Sequence, residues 1–143
     1  MFDTNHLHPM IVHFPIALIS VGFLFDLIAL FYKKEVYLAK TGFYLMIIGT
    51  LAAIAAYTTG SLFTDEPTKG AILAVFEKHE TAALITMISM ILASVVKIFL
   101  VIIKKEETPL KWLSFCLYFI GFCAVSYTGF MGGTMVYNFM MGI

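Results

Sequence analysis

Four long stretches, at about 10–32, 38–60, 80–103 and 110–131, hold almost no charge and set the terms for everything else. A bilayer core about 30 Å thick takes about 20 apolar residues per helix, so each stretch is a membrane span. A chain of 143 residues cannot build a soluble core that would hide all four. Composition agrees: 61% of residues are hydrophobic and the mean hydropathy is +0.95, against roughly 45–50% apolar residues in soluble domains. The expected fold is therefore an all-α membrane protein, one four-transmembrane-helix bundle over residues 1–143.

Lysine alone sets the orientation, because the chain has no arginine. Lys33, Lys34 and Lys40 follow the first span, and Lys104, Lys105 and Lys111 follow the third. The middle connection holds only Lys69 and Lys78, among Asp65, Glu66, Glu77 and Glu80. Positive residues stay in the cytoplasm, so both termini are expected on the outer, periplasmic or extracellular, side of a bacterial cytoplasmic membrane. The first ten residues lack the basic flank of a cleaved signal, and the first span reads as retained. In the middle connection, "AILAVF" before "EKHE" reads as a helical extension of the third span or a short surface helix.

This topology gathers His6, His8, His13 and His79 at one membrane level, on two helices running the same way. Imidazoles facing each other across a bundle suit axial ligation of b-type haem. With carboxylates such as Glu77 and Glu80 they suit Zn, Cu or Fe, and a proton relay is a third use. His6 and His8 sit at headgroup level, whereas His13 lies about one turn inside. Pro15 removes a helical hydrogen bond to the carbonyl of Ile11 and can turn His13 into the bundle. Helical phase pulls the other way. His8 and Asp26 are 18 residues apart, five full turns, and share a face, while His13 is offset from Asp26 by about 140° at 100° per residue. On depth, His13 is the expected partner of His79, with His8 as substitute or supporting donor.

His79 and Lys97 are also 18 apart. Asp26 and Lys97 fall at similar depth near the cytoplasmic ends of parallel spans, where a lone charge is expensive. Their pairing would set spans one and three side by side; the other reading has Lys97 snorkelling to the headgroups. Small residues, Gly42, Gly49, Ala53, Ala56 and Gly60 on span two and Gly121, Gly129, Gly132 and Gly133 on span four, suit close helix packing or a flat wall for a planar cofactor. Cys116 and Cys123 lie seven apart on one helix and cannot bridge. The absence of CxxCH argues against c-type haem. No internal repeat stands out.

The stretch "LHPMIVHFPIALI" at 7–19, with "EKHETAAL" and "GGTMVY", resembles a bacterial family of predicted membrane proteins, domain of unknown function 2231, over nearly the whole chain. The resemblance implies a four-span bundle, and fusions of some relatives to cytochrome-like domains imply electron transfer. It carries over His8, His13 and His79, with Gly132, Gly133 and Tyr137 as supporting positions.

The functional expectation is a b-type haem, or alternatively a Zn, Cu or Fe ion, held by His13 and His79 near the outer face. Quinone or a periplasmic cytochrome would exchange electrons with it, and Lys69 or Lys78 would meet haem propionates. The rival is a non-redox accessory subunit, or a small transporter using Asp26 and Lys97. A homo-oligomer is compatible with either. Net charge zero and no basic patch exclude nucleic acid. No nucleophile elbow, HExxH or phosphate loop marks a hydrolase.

Overall fold

The computed structural model describes residues 7–68 and 70–140, so His6 and Lys69 lie outside the described residues. Five helices follow in order: α1 (Leu7–Ile11), α2 (His13–Phe31), α3 (Val36–Phe63), α4 (Ala71–Ile102) and α5 (Leu110–Phe139). No strand occurs among the described residues. Residues 8–31 form one apolar span and α3, α4 and α5 the other three, each long and apolar enough to cross a membrane.

The interruption between α1 and α2 falls at Val12, within the turn that Pro15 deprives of a hydrogen bond to Ile11. It leaves the helical phase intact. Val12 keeps right-handed helical torsions (φ −60°, ψ −24°), and its N–H still donates to the His8 carbonyl at 3.1 Å. The buried face of α2, Pro15, Ile19, Gly22, Phe23 and Asp26, therefore runs back to His8, two turns before Pro15.

The spans outrun the apolar stretches. The third is one continuous helix from Ala71, so "AILAVFEKHE" is an extension of the span and not a separate surface helix. Gly70 starts it with φ +92°, a left-handed torsion that favours glycine. At the other end Lys104 takes φ 55°, and the Lys105 N–H closes on the Leu100 carbonyl at 3.0 Å, a Schellman-type stop.

Each connection pairs its neighbours into hairpins, α2 with α3 and α4 with α5, which pack on each other through the lighter seams α3–α4 and α2–α5. Spans one and three thus face each other diagonally. The two hairpins repeat. Adding 71 to a residue of α2 gives its counterpart in α4, and Pro15/Thr86, Ile19/Met90, Gly22/Ala93 and Phe23/Ser94 are all buried. Adding 72 relates α3 to α5, where Gly42/Ser114, Met46/Tyr118, Gly49/Gly121 and Ala53/Val125 are all buried. Lys33-Lys34-Glu35 recurs 71 residues later as Lys104-Lys105-Glu106.

Contacts repeat with the positions. Gly49 packs on Ile19 as Gly121 packs on Met90. Gly42 sits over the Gly22 carbonyl, and its counterpart Ser114 donates to the matching Ala93 carbonyl at 2.9 Å. Small residues allow these approaches, as expected where lipid supplies no hydrophobic drive between helices. The seams differ in their filling. On α2–α5, Phe23 stacks on Phe122 at 4.9 Å; at the equivalent place on α3–α4, Ser94 and Thr50 share a 2.8 Å hydrogen bond.

Candidate functional site

At one end of the bundle His8 and His79 meet. Their ring centroids are 6.4 Å apart and their planes stand at 88°. His79 Nδ1–H donates to the backbone carbonyl of Thr128 at 2.9 Å, since a carbonyl can only accept. His8 Nδ1 lies 3.3 Å from Thr59 Oγ1. That hydroxyl also lies 2.9 Å from the Ala55 carbonyl and 3.1 Å from that of Ala56; with its one proton directed there, it accepts from His8 Nδ1–H. His79 thus holds a proton on Nδ1, and in the matching tautomer of His8 both rings present Nε2 as a lone pair. Neither Nε2 is hydrogen-bonded to another described residue.

Helix ends from the other two spans close around the rings in matching fashion. A Cβ on Gly60 would stand 2.9 Å from His8 Cε1, and one on its counterpart Gly132 would stand 3.4 Å from His79 Cε1. The Ala56 carbonyl, counterpart of that of Thr128, is reached by the Thr59 hydroxyl that faces His8. Each hairpin thus supplies one imidazole, one glycine beside it and one backbone carbonyl.

His13 is not part of this arrangement. It is exposed, and the pairing partner of His79 is His8. Phase decides the matter: the break before Pro15 preserves the helical rotation, so His8 inherits the buried face and His13 stays about 140° away from Asp26. Gly132 flanks His79, but Gly133 has no atom within 4 Å of an added Cβ, and Tyr137 is 84% exposed. Both border a shallow groove with Phe130, Thr134 and Asn138 on the outside of α5. Glu77 and Glu80 are exposed, and no group of three His, Cys, Asp or Glu able to hold a metal occurs among the described residues. Lys78 is exposed, as are Cys116 and Cys123, which carry free thiols.

Sequence reasoning missed Thr59 and Thr128, and named Ala56 and Gly60 only among the small residues of span two. The available signal was the 72-residue offset between Gly60 and Gly132, matching the 71-residue offset between the histidines.

At the opposite end, Lys97 Nζ donates to Asp26 Oδ1 at 3.3 Å, with the side chains 19% and 9% exposed. The same +71 register pairs both ends, about 27 Å apart along the helices. Between them Ile19, Met46, Met90 and Ala93 are wholly buried, interspersed with the buried hydroxyls of Thr50, Thr86, Ser89 and Ser94.

No curated protein and no solved structure matches this chain. A family described as predicted membrane protein (DUF2231) matches residues 4–143. With four apolar helices spanning the same length, the chain belongs to the DUF2231 family of predicted membrane proteins.

Proposed function

We propose that His8 and His79 ligate the iron of a b-type haem through Nε2, and that the protein carries electrons within the membrane. The observation that supports this most is the matched pair of imidazoles with Nδ1 committed and Nε2 free. Metal-bound histidines characteristically donate their second nitrogen to a carbonyl or similar acceptor, which fixes tautomer and ring orientation. His8 and His79 would hold such a group from opposite hairpins, with their ring centroids 6.4 Å apart. Tetrahedral zinc also lacks its third and fourth ligands among the described residues.

Gly60 and Gly132, lacking side chains, let the His8 and His79 rings pack directly against their helices. The haem supplies the redox chemistry; this chain supplies ligation, orientation and a low-dielectric wall. The six lysines around the Asp26–Lys97 end support placing that end in the cytoplasm, which puts both termini and the histidine pair on the outer side of a bacterial inner membrane. A quinone or a periplasmic cytochrome is then the natural partner.

The test is the visible spectrum and metal content of protein expressed with haem supplied and purified in detergent. A Soret band is expected in the wild type, lost in His8→Ala and in His79→Ala and retained in His13→Ala. Colourless protein without stoichiometric metal overturns the reading; colourless protein holding copper in line between the rings replaces haem by an ion.

A further inference from the structure

We infer that Tyr118, Asp26 and Lys97 form a second polar site inside the bundle, which holds a water molecule between the Tyr118 hydroxyl and the Asp26 carboxylate. It is independent of any cofactor at the histidine pair. Tyr118 is 0% exposed, and its hydroxyl is the one buried side-chain polar atom without a hydrogen-bond partner among the described residues. An unsatisfied hydroxyl in an apolar interior is strongly disfavoured, and buried polar groups in native proteins are met by protein or by ordered water.

The surroundings supply what a water needs. The hydroxyl packs against Gly22 of α2, one turn before Asp26 on the same buried face. Asp26 gives only Oδ1 to Lys97, so among the described residues Oδ2 is left to accept. A water here receives the Tyr118 proton, donates to Asp26 Oδ2, and has Lys97 Nζ as a further polar neighbour. Two to four such partners are typical of a buried water. The repeat locates the novelty. Tyr118 stands where the other hairpin has Met46, and Asp26 where it has Lys97. One end of the bundle is therefore built of like residues, and this end of an acid, a base and a hydroxyl.

The sign of a stability change tests the site. If the hydroxyl were dry, Tyr118→Phe would remove an unsatisfied group and raise the melting temperature in detergent. With water bound, the same change strands the water or the carboxylate and lowers it by several degrees. It also shifts the infrared carboxylate band identified by its loss in Asp26→Asn. Should Tyr118→Phe not fold, X-ray radiolytic labelling of the wild type in nanodiscs answers instead, because bound water generates the label locally. Labelling of Tyr118 well above that of Phe23, which is 4% exposed, supports the site. An equal or higher melting temperature with an unmoved band, or an unlabelled Tyr118, overturns it.

Discussion

The two ends of the bundle use the same helices in the same register and reach opposite chemical solutions. At one end the +71 relation pairs His8 with His79; at the other it pairs Asp26 with Lys97. In the ion pair a donor meets an acceptor at 3.3 Å. Two imidazoles with Nδ1 protons committed offer two lone pairs and no proton between them. Such a pair stays unfinished until an electron-pair acceptor or a donor enters. That difference is why the histidine end reads as a binding site and the charged end as an intramembrane joint.

The largest effect should come from breaking the joint. Lys97→Ala leaves Asp26, a buried carboxylate, without its partner, and removal of one member of a buried pair typically costs about 3–5 kcal/mol. The melting temperature in detergent should fall steeply. Combining Asp26→Lys with Lys97→Asp should recover most of the loss, because the hairpins are related by the repeat and either can present either charge. Failure of the swap, with each single variant equally damaged, would mean the two positions are not equivalent.

Next in size is the crowding around the rings, which separates the two halves of the histidine site. A methyl at Gly60 meets His8 Cε1 at 2.9 Å and must displace the ring; a methyl at Gly132 reaches ordinary contact with His79 at 3.4 Å. Gly60→Ala should destabilise by about 1–3 kcal/mol and weaken ligand binding, and Gly132→Ala should change little. Thermal unfolding together with titration of the ligand measures both. Equal behaviour of the two variants would contradict the packing described.

Smaller still is the loss of one anchoring hydrogen bond. Thr59→Val removes the acceptor for His8 Nδ1–H, and loss of such outer partners typically weakens metal affinity by about 10–100-fold. Thr128→Val keeps the backbone carbonyl that holds His79 and should bind as the wild type does. Binding isotherms of the two valine variants make the comparison directly.

Much of this was legible before any coordinates. Runs of apolar residues locate four spans because lipid leaves helices few options for their backbone groups. Spacing alone indicated that Asp26 shares a face with His8 and Lys97 with His79. The histidine choice failed because depth was weighed above phase: the helix begins at Leu7, earlier than the apolar run, so His8 already lies inside the bundle. The repeat was hidden for a different reason. What recurs is the size and polarity of inward positions, Gly49 with Gly121 or Met46 with Tyr118, while the lipid-facing residues between them drift freely. The partners of the histidines escaped notice because one is a backbone carbonyl, which no residue type announces.

The smallest effect offers a control for the whole comparison. Lys111 donates to Glu107 Oε2 at 2.7 Å, a shorter ion pair than Asp26–Lys97, but the Glu107 side chain is 86% exposed. The hydrogen bond and charge of Lys111 hold the Glu107 carboxyl below its usual 4.5. A carboxyl lowered in the folded state stabilises the fold above its unfolded value, and that contribution is lost as the pH falls through the lowered one. Water screens the pair, so Glu107→Gln at neutral pH should lower stability by only about 0.3–0.5 kcal/mol, and by less below pH 4. The shorter pair is thus expected to contribute about a tenth of what breaking the longer one removes. A Glu107→Gln loss comparable to that of Lys97→Ala would show that distance, and not burial, governs the charges of this bundle.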